Sequence, residues 1–152
     1  MAISAGIFVS NIIAALGGTN LDLDLESETD LKVALFTNSV TPDFDASTSS
    51  AAYGAGVWAS NEVSGTGYTA GGLVITSTTL TGSSGVMTFD SADPSWTSST
   101  ITSARGALIY NNALSPKSGI VVADLGADYS TANGTLLVQV ASGGWFSVDW
   151  VP

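Results

Sequence analysis

Carboxylates are the side chains of this chain that could take part in acid–base chemistry. The sequence contains no histidine and no cysteine, so neither a Ser-His-Asp nor a Cys-His arrangement can form within it. A glycosidase would need two carboxylates that face each other across a cleft. Asp90, Asp93, Asp124 and Asp149 are candidates, but nothing in the sequence pairs them. We therefore predict that these aspartates cap turns or lie on exposed faces, and that the chain has no catalytic residues.

A second group of carboxylates lies in a segment where acidic and apolar residues alternate. Calcium sites need acidic oxygens that converge from a tight turn, usually one made by a glycine. This segment has no glycine, and the alternation in Leu21–Leu25 predicts a half-buried strand with leucines inward and aspartates in water. The sequence therefore favours a solvated acidic edge, which discourages aggregation, over a calcium site. The carboxylates concerned are Asp22, Asp24, Glu26, Glu28 and Asp30.

Cations are scarce, which limits the partners that this chain can bind. The formal net charge is −10, and the basic residues are Lys32, Arg105 and Lys117. Phosphate backbones and anionic membrane surfaces are bound by neutralising them with cations. We therefore expect neither nucleic acid nor membrane as a partner. Arg105 lies in an apolar strand, where it needs an anionic partner, and Asp90 or Asp93 is the expected one.

Aromatic residues suggest another kind of site, a platform that stacks against sugars. Trp58 lies in a glycine-rich segment that we predict to be exposed, and Tyr53 lies close to it. A carbohydrate-binding module would use these two side chains. Aromatic residues are also common at the centres of protein contacts, and we predict a packing role for Trp96 and Trp145. Trp58 is a candidate for either sugar binding or subunit contact.

The glycine-rich stretch Asn61–Gly72 is the most distinctive segment of the sequence. Glycine adopts backbone angles that a side chain forbids, and it lets a second backbone approach closely. The glycines precede a strand rather than a helix and no lysine follows them, so a phosphate-binding loop is not indicated. We predict a shaped corner that packs within the fold or against a neighbouring subunit. Its residues are Gly65, Gly67, Tyr68, Gly71 and Gly72.

The hydrophobic pattern predicts one helix followed by about eight strands. The helix is expected at about residues 4–16, with Ser4 as its cap and with Ile7, Phe8, Ile12 and Leu16 on its apolar stripe. Because the helix is apolar nearly all round, we expect the sheet or a partner chain to cover it. It is too short to span a bilayer, which takes ~20 residues, and it lacks the basic start of a secretory signal.

Strands are predicted at residues 30–36, 72–80, 86–89, 105–110, 120–125, 135–140 and 145–150, where apolar and β-branched residues dominate. Gly82–Gly85 indicates a hairpin turn, and the last two strands are expected to form another hairpin. Gly126 is expected to end the strand before it. This spacing is typical of one antiparallel domain over residues 1–152, with a β-sandwich or jelly-roll-like fold.

Several segments, taken in order, resemble small head-associated virion structural proteins of tailed bacteriophages. The resemblance extends over nearly the whole chain, including the N-terminal helix, and its most specific motif is Asn61–Gly72. The other segments are Asp30–Leu35, Phe89–Trp96, Ile101–Tyr110, Ala123–Gly126, Gly134–Gln139 and Gly143–Phe146.

The resemblance implies a capsid decoration protein on the outer surface of the virion head. Its expected partners are the major capsid protein and copies of itself, because binding to a symmetric lattice favours cyclic oligomers such as trimers. No catalytic residue, cofactor or metal comes with the resemblance. A tail structural protein is the alternative within this class, and a carbohydrate-binding β-sandwich module is the alternative from another class.

Overall fold

The computed structural model describes residues 2–17 and 21–151, and it is mainly antiparallel β-sheet with one α-helix. This confirms the predicted fold class, a mainly β, sandwich-like fold with an N-terminal helix. Helix α1 spans Val9–Leu16, and a 3₁₀ turn spans Gly56–Ala59. The strands in the described ranges are β1 Gly6–Ile7, β2 Leu31–Phe36, β3 Leu73–Val74, β4 Thr79–Ser83, β5 Val86–Asp90, β6 Ser95–Ser99, β7 Ala104–Asn111, β8 Gly119–Tyr129, β9 Gly134–Leu137 and β10 Phe146–Asp149.

The strands form three antiparallel sheets. The largest has the strand order β1-β8-β7-β2-β3, the second has the order β10-β5-β4, and the third pairs β6 with β9. Of the three central strands of the large sheet, β2 and β7 are buried over most of their length, and β8 is buried in its first four residues. These buried parts are mostly apolar, which is typical of strands that are covered on both faces.

Two hydrophobic clusters lie on the two faces of the large sheet, because successive side chains of a strand point to opposite faces. In β2, Leu31, Val33 and Leu35 belong to the first cluster, whereas Ala34 and Phe36 belong to the second. This alternation agrees with the strand predicted at residues 30–36. The first cluster also includes residues of the two smaller sheets. The second includes side chains from the N-terminal segment and from the loop that holds the 3₁₀ turn.

The helix begins later than predicted. Gly6–Ile7 pair with β8 as strand β1, and the N–H of Phe8 donates to the carbonyl of Ile120 at 3.2 Å. This pairing satisfies backbone groups at the edge of the large sheet, so the helix starts at Val9. The prediction that Ser4 caps the helix is therefore wrong, and only the later part of the predicted helix is confirmed.

Helix α1 is attached to the rest of the fold by a buried asparagine. The side-chain amide of Asn11 donates to the carbonyls of Ala51, at 2.9 Å, and Gly119, at 2.7 Å. The first carbonyl belongs to the loop before the 3₁₀ turn and the second to the start of β8. Because both acceptors are fixed by the fold, these bonds set which side of the helix faces inward.

The alternating segment Leu21–Leu25 keeps its predicted orientation but is not a strand. Leu23 is buried, and its two aspartate neighbours are exposed. Asp24 has a φ of 35°, and its carbonyl accepts the N–H of Ser27 in a turn. The carbonyl of Leu23 accepts the side-chain amide of Asn111 at 3.0 Å rather than a strand neighbour. Alternating burial therefore occurs here without a ladder of backbone hydrogen bonds.

The predicted strand over residues 72–80 is interrupted. β3 ends at Val74, Ser77 has a φ of 54°, and β4 begins at Thr79 in a different sheet. β3 pairs with β2, whereas β4 pairs with β5. The interruption therefore carries the chain from the large sheet to the second sheet, which a continuous strand could not do.

One of the two predicted hairpins is confirmed. Strands β4 and β5 are joined by Ser84 and Gly85, whose φ values are 53° and 83°, as a type I′ turn requires. The prediction that the last two strands pair with each other is wrong. β9 pairs with β6 and β10 pairs with β5, so these two strands belong to different sheets.

We predict that Asn11→Leu lowers the free energy of unfolding by about 2 kcal/mol, because the Gly119 carbonyl would lose its buried donor. Urea unfolding of the variant and the parent protein measures the difference. Ile13→Ser is the matched control on the same helix, since Ile13 is 65% exposed, and it should change stability by less than about 0.5 kcal/mol. An Asn11→Leu protein that unfolds at the parent midpoint would contradict the role assigned to this amide.

Candidate functional site

The carboxylate of Glu62 connects the glycine-rich segment to the rest of the fold. Its Oε1 accepts hydrogen bonds from the Tyr68 hydroxyl and from the N–H of Gly71, both at 2.7 Å. Its Oε2 accepts the Tyr53 hydroxyl, also at 2.7 Å. Glu62 is half-buried, and it takes no part in the ion pairs found within residues 2–17 and 21–151. Three neutral donors therefore stabilise this charge.

Tyr68 links the carboxylate to strand β2. Its hydroxyl donates to Glu62 and accepts the N–H of Leu35 at 2.9 Å. Strand β3 is only two residues long and pairs with Lys32 and Val33, so it does not extend to Leu35. Buried backbone donors need a partner, and the Tyr68 hydroxyl supplies the one that β3 does not provide. The Tyr68 ring also stacks on Trp96, with the ring centroids 6.0 Å apart.

A second pair of tyrosines holds the other end of the segment. The Tyr110 hydroxyl donates to the carbonyl of Gly71 at 2.9 Å. The rings of Tyr53 and Tyr110 are stacked, with centroids 4.5 Å apart and planes 11° apart. Both backbone groups of Gly71 are therefore held by side chains, its N–H by Glu62 and its carbonyl by Tyr110.

Two glycines lie where the segment touches the backbone of another part of the chain. A Cβ atom on Gly72 would lie 1.8 Å from the carbonyl oxygen of Val33, and one on Gly65 would lie 1.9 Å from that of Thr100. Both glycines have positive φ values, 72° and 139°. A side chain at either position would push two backbones apart. These contacts are within the chain, and a contact of the segment with a neighbouring subunit stays a prediction.

Burial raises the pKa of the three tyrosines of this network. Burial, followed by hydrogen bonding to Glu62, raises the pKa of Tyr53 to about 12. The same two causes raise the pKa of Tyr68 further above its ordinary value, against a smaller opposite effect of the Leu35 N–H. Burial also raises the pKa of Tyr110, with added effects from Tyr53 and Glu62. At neutral pH these hydroxyls are hydrogen-bond donors, not bases.

Trp58 is buried, which contradicts the prediction that its segment exposes it. The residue is 2% exposed, and its ring makes edge-on contacts with Phe8 and Phe36, at centroid distances of 5.9 and 5.0 Å. The 3₁₀ turn directs this side chain into the second cluster. Tyr53 is half-buried against Tyr110. The two predicted rings therefore do not form an exposed platform for sugars.

The four candidate aspartates each accept a backbone N–H, so they satisfy turns and strand ends. This agrees with the capping role predicted for them. No group of three or more potential metal ligands occurs in the described ranges, and the acidic residues between 22 and 30 do not converge. The donors to Asp90, Asp93, Asp124 and Asp149 are the N–H groups of Ser91, Val140, Gly126 and Val151, at 2.8, 2.8, 2.8 and 2.9 Å.

Arg105 pairs with aspartates other than those predicted. Its Nε donates to Oδ1 of Asp124 at 2.7 Å, and its Nη1 lies 3.6 Å from Oδ1 of Asp128. Both aspartates lie on β8, the neighbour of the strand that carries Arg105. The prediction of Asp90 or Asp93 as partner is wrong because those residues cap backbone groups near the smaller sheets.

Strand β8 is longer than predicted, which makes this ion pair possible. It continues through Gly126, whose φ is 81°, to Tyr129. The pairing register with β7 shifts in this region, so the extra residues of β8 place Asp128 near Arg105. The hydrogen bond from Arg105, together with the N–H of Gly126, lowers the pKa of the Asp124 carboxyl.

Helix α1 exposes apolar side chains and buries a polar one. Val9, Ile13 and Leu16 are 45%, 65% and 77% exposed, and their spacing places them on one side of the helix. Asn11 is fully buried on the other side. A surface helix normally turns its apolar stripe to the core and a polar face to water, whereas this helix also carries apolar side chains on its exposed side. We call Val9, Ile13 and Leu16 the outer face of α1.

The residues predicted for one apolar stripe do not share a face, and of these only Leu16 lies on the outer face. Ile7 is in β1, Phe8 is fully buried just before the helix, and Ile12 packs against the first cluster. Val9 and Ile13 are not among the residues predicted for the stripe. Their helical spacing is visible in the sequence, but a helix that is apolar nearly all round gives no basis for choosing its exposed side. No helix in the described ranges is long and apolar enough to cross a membrane.

A groove of about 610 Å³ lies between the outer part of β8 and β9. Its lining includes the exposed side chains of Tyr129 and Leu137, and its titratable residues are Asp124 and Tyr129. Asp124 is engaged by Arg105. The groove therefore offers apolar surface but no pair of carboxylates for general acid–base chemistry.

Comparisons with protein-family models, curated proteins and solved structures gave no match to this chain. Its function must therefore be argued from its own residues.

We predict that Tyr68→Phe lowers the free energy of unfolding by about 2 kcal/mol, because the Leu35 N–H and Glu62 both lose a partner in a partly buried site. Tyr129→Phe is the control, since Tyr129 is 50% exposed, and it should change stability by less than about 0.5 kcal/mol. Denaturant unfolding measures both values. Equal stability of the two variants would show that the Tyr68 hydroxyl does not hold the segment.

We also predict that alkali destabilises the fold through these tyrosines. The pKa of Tyr53 is about 12 in the folded protein, whereas that of an unfolded tyrosine is about 10. The neutral form is favoured by folding, so this stability is complete below pH ~10 and is lost as the pH rises through the folded-state pKa. Phenolate absorbance during a pH titration should show delayed ionisation. Ionisation of every tyrosine near pH 10 in the still-folded protein would contradict this.

Proposed function

We propose that this chain is a structural protein of a tailed-phage virion, which decorates the outer face of the head and stabilises it. The observation that carries the proposal is the outer face of α1, formed by Val9, Ile13 and Leu16. The resemblance of Asn61–Gly72 and the other segments to head-associated proteins suggests what the face contacts, the major capsid protein.

The outer face of α1 is suited to an apolar contact of moderate strength. Complete burial of a Val, Ile or Leu side chain contributes ~1.5–3 kcal/mol. The three side chains retain about half or more of their exposure, so covering them would contribute roughly 3 kcal/mol. This corresponds to a factor of about 100 in affinity. Such a face is a substantial part of a binding site, but other contacts must complete it.

Two further features favour a contact at this helix. Residues 2–17 carry no charged side chain, so covering the helix does not remove charges from water. The hydrogen bonds of Asn11 fix the helix against the fold, so the outer face is preorganised and loses little conformational freedom on binding.

The charge of the chain is consistent with a place outside the head. A net charge of −10 with three basic residues disfavours contact with packaged DNA. A protein that binds the assembled shell and not its free subunits stabilises the shell by mass action. The proposed role needs no cofactor and no enzymatic activity, and it uses the tyrosine network and the aspartates only to support the fold.

The alternatives differ in what supports them. A tail protein would use the same apolar face, so the location in the particle distinguishes it from a head protein. A carbohydrate-binding module is supported less well, because Trp58 is buried and Tyr53 is covered by Tyr110.

We predict that immunogold microscopy, with antibodies against this chain, labels the heads of the phage particles whose genome encodes it.

The purified chain should also sediment with heads from which it has been removed. The double variant Ile13→Ser/Leu16→Ser should weaken this binding at least tenfold, because most of the outer face is lost. Leu137→Ser, at another exposed position, is the matched control and should bind as the parent does. Labelling of tails alone, or absence of the chain from purified particles, would overturn the proposal.

A further inference from the structure

Strand β4 has an unpaired edge. It is the last strand of its sheet, its other edge pairs with β5, and all five of its residues are exposed. In the part of the chain that the structure describes, no strand and no loop backbone bonds to the outer edge. Such an edge offers a row of backbone donors and acceptors to another strand.

The hydrogen-bonding groups of this edge can be identified from the register of the sheet. The carbonyl of Phe89 accepts the N–H of Trp145 and therefore points towards β10. Leu80 lies opposite Phe89, and opposite residues of an antiparallel pair exchange both hydrogen bonds or neither. The N–H and carbonyl of Leu80 consequently point outward, and those of Gly82 do so by alternation.

The edge lacks the features that usually prevent strand pairing, such as charges, prolines and bulges. No charged residue and no proline occurs between Val63 and Phe89, and the register of β4 with β5 is regular. The chain as a whole carries a net charge of −10, so two copies repel each other at most of their surface. At this edge they can meet without placing like charges opposite each other.

We propose that β4 of a second copy of this chain pairs with this edge, antiparallel and across a two-fold axis at Thr81. Leu80 of each copy then lies opposite Gly82 of the other, and the two residues exchange backbone hydrogen bonds. A Cβ atom on Gly82 would have its nearest neighbour 4.0 Å away, so there is room for Leu80 of the second copy. The two sheets become one continuous sheet, and the contact is isologous.

This contact is independent of the proposed function, since it involves β4 rather than the outer face of α1. A pairing along five residues buries less than the ~800 Å² per partner of a standard stable interface. We therefore expect a dimer whose population rises with protein concentration.

We predict that Thr81→Cys forms a disulfide-linked dimer on mild oxidation. The two Thr81 residues form a non-hydrogen-bonded pair on the axis, with their Cα atoms about 4.5 Å apart, which is within the range of a disulfide. The chain has no cysteine of its own, so no other thiol can react. Non-reducing electrophoresis measures the product.

The neighbouring positions on β4 provide matched controls. Thr79 lies opposite Ser83 of the second copy in this register, so Thr79→Cys places its two thiols four positions apart, roughly 13 Å, and should stay monomeric. The double variant Thr79→Cys/Ser83→Cys should regain the linked dimer. Crosslinking of Thr79→Cys as readily as Thr81→Cys would overturn the proposed register.

A charged variant tests the association without any crosslink. Thr81→Lys places two lysines opposite each other on the axis, which disfavours pairing, and Thr81 is exposed, so the fold should be unchanged. Sedimentation equilibrium should show a concentration-dependent dimer for the parent and a monomer for the variant. A parent that stays monomeric up to millimolar concentration, or that forms a trimer unaffected by Thr81→Lys, would overturn the proposal.

Discussion

The carboxylate of Glu62 is the interaction on which the glycine-rich segment depends. It is a half-buried charge without a cationic partner in the described ranges, so its stability comes from three donors, two hydroxyls and one backbone N–H. Hydrogen bonds to a charged group are among the stronger ones in proteins. Because Tyr68 also accepts the N–H of Leu35, the same network completes the edge of β2 where β3 is too short. Glu62 thus holds Gly71 in the glycine-rich segment and also the Tyr68 hydroxyl that accepts the N–H of Leu35.

The position in which this network holds the segment explains why it needs a glycine at position 72. Once Glu62 and the Tyr110 hydroxyl hold Gly71 against the sheet, the next residue must pass over the carbonyl of Val33. The distance of 1.8 Å from a Cβ on Gly72 to that oxygen admits glycine only. Burial in this network, together with the effect of Glu62, raises the pKa of each tyrosine, so the hydroxyls stay protonated and can donate. The hydrogen bonds of this site therefore hold the glycine-rich segment in one position against the sheet.

Sequence reasoning succeeded where local pattern and burial agree. Strands β2 and β7 and the first part of β8 are buried and mostly apolar, and the Ser84–Gly85 turn needs only two residues with positive φ. It failed where contacts with a segment distant in sequence determine the local structure. The helix start depends on Ile120 at the edge of β8, and the burial of Trp58 depends on Phe8. The glycine-rich segment was recognised, but the role of Glu62 was not predicted. Its donors, Tyr53, Tyr68 and Gly71, come together only in the folded protein, and their spacing in the sequence does not indicate this.

The two surfaces proposed as contacts, the outer face of α1 and the edge of β4, share a lack of charged side chains. The outer face of α1 and the edge of β4 both lie in stretches without charged side chains, residues 2–17 and Val63–Phe89. Acidic residues on the rest of the surface make the approach of another acidic chain unfavourable where they lie. The two contacts proposed above would therefore avoid this repulsion, in addition to using apolar or backbone groups. Because one surface is an apolar helix face and the other an open strand edge, they suit different kinds of partner.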